Sequence, residues 1–200
     1  MIPKIKICGL MSEDDILCVN EILPEFVGFM FWEPSKRYIT LDKARGFKEL
    51  LDPKVKAVGV FLDQDIEEVK SIAKSGVIDI VQLHGSESDE YIEIIKNETG
   101  LPVIKAFSVA KGADADTINR SPADMVLIDS GRGGTGELFN WEFLKDIKRD
   151  YFLAGGLSPE NAGEAVKTGA YALDVSSGVE TEGKKDAEKI RRFITTVRGV

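Results

Sequence analysis

Apolar residues fall along this chain in eight short clusters: Ile5–Cys8, Phe26–Trp32, Ala57–Leu62, Ile78–Leu83, Val103–Phe107, Met125–Ile128, Phe152–Ala154 and Ala170–Val175. They are rich in Val, Ile and Phe and apolar on both faces, the pattern of strands in a covered parallel sheet. Most are followed by a polar segment in which apolar residues return at helical spacing. Ile66, Val69, Ile72 and Ala73 share one face, as do Ala162, Ala165 and Val166, and then Ala187, Ile190, Ile194 and Val197.

Boundary signals sharpen these elements. Ser12 with Asp15 three residues on approximates a capping box. Ser158-Pro159-Glu160 predicts a helix with serine at the N-cap and proline at its first position. Gly76, Gly100 and Gly169 stand where helices should stop. The weakest helix is the fifth: Asp114–Arg120 is short, has little apolar face, and reads as a single turn or an irregular link. Strand–helix alternation repeated eight times predicts an α/β protein, either a closed (β/α)8 TIM barrel or a doubly wound open sheet. The 200 residues allow about 25 per unit, lean but feasible for a barrel. No linker or low-complexity stretch divides the chain, so one domain over 1–200 is expected.

Composition narrows the function classes. A net charge of −8 argues against a general nucleic-acid or anionic-membrane binder. It leaves room for an anionic small molecule in a locally positive site. Cys8 and Cys18 are too few for a disulfide framework, and Met1-Ile2-Pro3-Lys4 does not resemble a signal peptide. No apolar stretch approaches the roughly 20 residues needed to span a bilayer. A reducing cytoplasm with both thiols free is the simplest expectation.

In a barrel, chemistry gathers at the C-terminal ends of the strands. Strand 1 ends in Cys8-Gly9, strand 2 leads to Arg37, and strand 4 ends in Gln82-Leu83-His84-Gly85. Strand 6 ends in Asp129-Ser130, strand 7 in Ala154-Gly155-Gly156, and strand 8 in Asp174-Val175-Ser176-Ser177-Gly178. One rim thus collects an acid–base pair, a guanidinium fork for a carboxylate, and an anion cradle. Gly155-Gly156 and Ser176-Ser177-Gly178 fall in the two loops that commonly bind phosphate in this fold. Either alone reads as a tight turn; both together favour phosphate.

The single residues keep bland alternatives. A cysteine at a strand end is more often buried packing; Cys8, just before Gly9 at the rim, is also a candidate base. As a base it needs thiolate character, which a polar rim near helix N-termini and a bound substrate could promote. Cys18, inside the first helix, reads as packing. Asp129 reads equally well as an acid, a cap or an ion-pair partner. His84, the only histidine, reads as a hydrogen bonder that positions substrate. Gly131-Arg132-Gly133-Gly134-Thr135-Gly136 lacks Walker or dinucleotide spacing and reads as a closing loop or an exposed connection.

These residues form an ordered set. Lys6-Ile7-Cys8-Gly9-Leu10 resembles the opening K-I-C-G motif of the phosphoribosylanthranilate isomerase family, and Phe31 to Arg37 resembles its F-x-x-x-S-x-R segment. Val81 to Gly85, Leu127 to Ser130, Gly133 to Gly136, Ala154 to Leu157 and Asp174 to Glu180 follow in the family's order. The resemblance runs from strand 1 to strand 8. It implies a (β/α)8 barrel that carries out an Amadori rearrangement in tryptophan biosynthesis, with no metal and no organic cofactor. It further implies Asp129 as general acid and Cys8 as general base. Arg37 would hold the anthranilate carboxylate and Asp174 the amino group, with His84 near the substrate. The Gly155-Gly156 and Ser176-Ser177-Gly178 loops would hold the phosphate. Lys36 stands where proline is frequent and Asn140 where aspartate is frequent; neither touches that chemistry.

Two other readings stand beside it. A histidine-pathway aminoaldose isomerase normally ends strand 1 in aspartate, where this chain has Cys8, and shows two phosphate-binding halves, where only the second half is clear here. A non-catalytic phosphosugar-binding barrel is opposed by Cys8, Asp129 and Arg37 occurring together. Family members occur as monomers and dimers, and the sequence identifies no interface.

Overall fold

The computed structural model describes residues 2–109, 113–129 and 141–199. Ser130, the glycine-rich run Gly131–Gly136 and Asn140 lie outside them.

Eight parallel strands close into a barrel in chain order: β1 Lys4–Cys8, β2 Phe26–Met30, β3 Lys56–Phe61, β4 Ile80–Leu83, β5 Val103–Ser108, β6 Met125–Asp129, β7 Tyr151–Ala154 and β8 Ala172–Val175. β8 pairs back onto β1, with Lys6 opposite Asp174, so the open-sheet alternative is excluded. The predicted strands are all present, with ends that differ by one or two residues. β2 stops at Met30 instead of Trp32. Phe31 still donates to Val60, but the chain then turns through Trp32–Ser35 and Tyr38 bridges back to Met30.

Around the barrel lie α1 Glu13–Ile22, α2 Leu41–Leu50, α3 Ile66–Lys74, α4 Asp89–Thr99, α5 Ala115–Arg120, α6 Ala162–Val166 and α7 Ala187–Arg198. The capping box at α1 is formed in both halves: Ser12 Oγ accepts from Asp15 N–H and the Asp15 carboxylate accepts from Ser12 N–H. Gly100 caps α4 in the left-handed conformation, and Gly76 and Gly169 also have positive φ just past their helices.

The helical layer thins over the second half. α5 has six residues, as the sequence predicts, but the weakness continues. A 3-10 turn at Trp141–Asp146 follows β6, and α6 has only five residues. The predicted start at Ser158 is one turn early. Ser158 Oγ does accept from Glu160 N–H, but Asn161 holds the N-cap position and Ser158–Asn161 form a turn. The outer core between strands and helices is apolar throughout, and α7 seals the last gap with Ile190, Phe193, Ile194 and Val197.

The barrel interior is filled by Phe26, Val58, Ile80, Ile104, Ala106, Leu127, Phe152, Ala154 and Ala172. It is packed, so chemistry is confined to the mouth, where Cys8, His84, Asp129 and Asp174 end or follow their strands.

Candidate active site

Cys8 ends β1 with its sulfur turned inward, 9% exposed. Gly28, its register partner on β2, makes the room: a Cβ there would lie 2.6 Å from the sulfur. Gly9 follows with φ +79°, and a Cβ on it would strike the Arg37 side chain crossing above. The two glycines bracketing Cys8 are thus required by close approach, one by sulfur and one by guanidinium.

Beneath Cys8, Lys6 is fully buried, and its ammonium lies 2.9 Å from Asp174 Oδ2. Burial disfavours that ammonium, but Asp174 and Cys8 outweigh it and hold its pKa above the ordinary lysine value. The sequence places Lys6 inside an apolar cluster and assigns it no role. The available signal was parity: Lys4-Ile5-Lys6-Ile7-Cys8 alternates, so Lys6 shares the inward face of Cys8. Asp174 Oδ1 is also buried and accepts no hydrogen bond among the described residues.

The surroundings of the Cys8 thiol disfavour its ionisation. Burial pushes its pKa up, Lys6 and Lys185 pull it down, and Asp174 adds to the rise; the net direction is upward. The rim is polar, but the sulfur sits below it, where loss of water dominates.

Arg37 reaches the same corner and is already paired. Its Nε and Nη2 donate to the two Glu180 oxygens at 2.6 and 2.8 Å. Lys185 Nζ lies 2.7 Å from Glu180 Oε1 and also donates to the Ser176 carbonyl. Burial opposes the Glu180 charge, yet Arg37 and Lys185 hold its carboxyl down at about 2. Glu180 and Lys185 belong to a small antiparallel ribbon, β9 Glu180–Thr181 with β10 Lys184–Lys185, that follows β8. The fork predicted for a substrate carboxylate is therefore half engaged, leaving the Nη1 edge for a second anion.

Across the mouth, His84 Nε2 approaches Asp129 Oδ2 at 3.4 Å, and Gln82 Nε2 lies 3.0 Å from His84 Nδ1. His84 thus stands between the Gln82 amide and the Asp129 carboxyl. The loop carrying His84 is fixed at both ends of the Gly85 peptide. Gly85 N–H donates to Glu87, and buried Lys105 bonds both the Gly85 carbonyl and Glu87. Neither Lys105 nor Glu87 is singled out by the sequence.

The loops after β7 and β8 meet, as an anion cradle needs. Gly155 and Gly156 both have positive φ, and a Cβ on Gly178 would lie 1.9 Å from the Leu157 carbonyl. A 3-10 turn starts at Ser177, so its first N–H groups have no partner within that turn. The Ser176 hydroxyl has another use: it donates to the Cys8 carbonyl at 3.0 Å, joining β8 to β1. Among the described residues no cluster of His, Cys, Asp and Glu is arranged to hold a metal ion. No described helix is long and apolar enough to cross a membrane. Cys18 is half-buried on α1 and packs against the outer core.

A family model described as N-(5'phosphoribosyl)anthranilate (PRA) isomerase matches residues 5–196. The chain belongs to this isomerase family. An N-(5'-phosphoribosyl)anthranilate isomerase of Clostridium acetobutylicum is 44% identical over 98% of both chains. The phosphoribosyl anthranilate isomerase of Thermus thermophilus superposes with a TM-score of 0.88 at 36% identity, covering 98% of each chain. A phosphoribosyl anthranilate isomerase in complex with reduced 1-(o-carboxyphenylamino)-1-deoxyribulose 5-phosphate superposes at 0.84, with 34% identity over 99% of this chain and all of the other.

As an isomerase of tryptophan biosynthesis, the chain has its chemical groups in two sectors of one mouth. Cys8, Lys6, Asp174, Arg37, Glu180 and Lys185 make one, and His84 with Asp129 the other. β6 stands three strands from β1 around the ring, so substrate lying across the mouth meets the two sectors from different sides.

Proposed function

We propose that this isomerase rearranges N-(5'-phosphoribosyl)anthranilate to 1-(2-carboxyphenylamino)-1-deoxyribulose 5-phosphate, with Asp129 as general acid and Cys8 as general base. The observation that carries the reading is the placement of one inward acid and one inward thiol at the ends of β6 and β1, in a chain matched by the family model from residue 5 to 196.

Asp129, protonated when substrate binds, gives its proton to the ribose ring oxygen, and the ring opens to a protonated Schiff base. The Cys8 thiolate then takes the proton from C2′, leaving an enolamine that tautomerises to the ketone. His84, hydrogen-bonded to Asp129, fixes the direction of its carboxyl. Asp174 Oδ1, a buried acceptor without a described partner, receives the anilino N–H. Arg37 offers its outer edge to the anthranilate carboxylate while Glu180 steadies the inner one. The phosphate lies between Gly155-Gly156 and Ser177-Gly178, with Ser176 contributing through its backbone because its hydroxyl is bonded to Cys8.

No metal or organic cofactor enters this scheme. The reading places the protein in the cytoplasm as one catalytic domain, a monomer or homodimer, acting on a small phosphosugar with no nucleic-acid or membrane partner.

The test is turnover of freshly generated phosphoribosylanthranilate, followed by its fluorescence loss, for wild type, Cys8→Ala and Asp129→Asn. Loss of at least 100-fold in both variants supports the two roles. Near wild-type turnover in either one removes that assignment, with His84 the next candidate base. Wild-type protein that binds a product analogue without turnover returns the phosphosugar-binding reading.

A further inference from the structure

The interior of this barrel is mostly apolar, and among the described residues its one buried ion pair lies where β1 and β8 meet. There, Lys6 is fully buried with a single carboxylate partner, Asp174, on the adjacent strand. A buried ion pair of this kind seldom repays the loss of water from both groups, so stability does not account for it. Its position does. Lys6 and Cys8 are two residues apart on the inward face of one strand, so the ammonium is the cation buried directly beneath the sulfur, and it opposes the rise of the thiol pKa.

We propose that Lys6 is a positioning residue for the base: its buried ammonium is shared between Asp174 and the Cys8 sulfur, and shifts toward sulfur when a substrate nitrogen engages Asp174 Oδ1. This rests on Cys8 being the base.

Charge balance supports the sharing. The groups facing the sulfur are Lys6 from β1, Asp174 from β8, Lys185 from β10, and Arg37 from the loop after β2; β2 itself contributes only Gly28. With Glu180 bound to Arg37 and Lys185, this corner holds three cations and two carboxylates. It becomes neutral when Cys8 is a thiolate. A bound anthranilate carboxylate adds one negative charge, and the protonated Schiff base formed on ring opening removes it. That cationic nitrogen is also the group that competes with Lys6 for Asp174. The base thus gains its full counter-charge at the step that needs it, and the thiol proton has gone to water before C2′ is attacked. Burial raises the thiol pKa while Lys6 opposes it and Asp174 reinforces it, in keeping with an ammonium held between two acceptors.

The experiment is an ultraviolet titration of the Cys8 thiolate in a Cys18→Ala background, without substrate. Lys6→Met is expected to move the Cys8 titration up by about one pH unit, lowering kcat at neutral pH about tenfold and restoring it toward alkaline pH. Asp174→Asn is expected to move the titration down, because the ammonium is then wholly available to sulfur. Lys6→Arg keeps the cation and holds the midpoint near wild type. A residue that only packs moves neither midpoint, and opposite shifts are a signature of sharing. Unchanged midpoints in Lys6→Met and Asp174→Asn, or shifts of the same sign, overturn the proposal. If Lys6→Met fails to fold, the double variant Lys6→Met/Asp174→Asn, which strands no charge, replaces it and is expected to titrate above wild type. Activity surviving in Cys8→Ala overturns the base assignment instead, and the titration shows which of the two has failed.

Discussion

Gly28→Ala isolates the demand that Cys8 makes on its surroundings. Gly28 lies in β2 with no positive φ, so its backbone accepts alanine without strain. The added Cβ falls 2.6 Å from Cys8 Sγ and 3.1 and 3.2 Å from Cys8 Cα and Cβ. Heavy atoms in contact sit at about 3.5–4.0 Å, so the thiol or the strand must yield by about 1 Å. Overpacking of this size costs about 1–3 kcal/mol, offset by about 0.4–1 kcal/mol from the stiffer unfolded chain. The net loss of stability is small, and the protein should fold. Catalysis is less tolerant, because a displacement of about 1 Å costs on the order of 100-fold, or about 2.7 kcal/mol of barrier. The assay pairs kcat for phosphoribosylanthranilate with urea unfolding of the same preparation. Gly46→Ala serves as control: nothing lies within 4 Å of a Cβ there in the middle of α2, so it should gain about 0.5–1 kcal/mol and keep full turnover. Turnover of Gly28→Ala within about threefold of wild type would refute the reasoning, since the position of the sulfur would then not limit the reaction.

Further outcomes follow from other contacts. Gly178→Ala places a Cβ 1.9 Å from the Leu157 carbonyl, so the β7 and β8 loops must separate; a rise in KM and in inhibition constants for phosphate-bearing analogues is expected, with kcat changed less. Glu180, held at about 2, contributes stability that is fully present above its unfolded value near 4.3 and is lost as pH falls from there through 2. Urea unfolding of wild type and Glu180→Gln between pH 6 and 2.5 should converge at the acid end, after a difference of order 2–3 kcal/mol at pH 6; parallel curves would exclude this role. Lys105→Met leaves the Glu87 carboxylate buried without its 2.7 Å partner and should lower stability by about 3–5 kcal/mol. Lys105→Met/Glu87→Gln should recover part of that loss, read from thermal unfolding.

The strands were legible because strands of a covered parallel sheet write themselves as continuous apolar runs, and their last residues then name the rim. Cys8, His84, Asp129 and Asp174 follow from that rule alone. Their partners do not, because they depend on closure of the ring. Arg37 meets Glu180 across 143 residues, and Lys6 meets Asp174 across 168. No local pattern encodes either distance. The thin helical layer after β6 and β7 was missed for the opposite reason. Ser158-Pro159 carries a strong start signal, but Asn161 Oδ1 accepts from Ser158 N–H and Asn161 Nδ2 bonds the Gly156 carbonyl. Those bonds close a turn over the β7 loop and delay the helix to Ala162. The helix signal gave way to the hydrogen bonds of the β7 loop.

A cysteine as the proposed base fits the same corner. Whatever occupies position 8 must fit the space that Gly28 leaves and must ionise close to Asp174. A carboxylate there would be a third permanent anion among Lys6, Lys185 and Arg37 and would draw Lys6 from Asp174 before substrate arrives. A thiol avoids this, because burial keeps it neutral until the surrounding cations are free to stabilise its charge. The upward shift of the Cys8 thiol is therefore compatible with the role proposed for it. In the proposed scheme the thiolate is needed only when the ring has opened, and the nitrogen cation that then appears beside Asp174 releases Lys6 toward the sulfur.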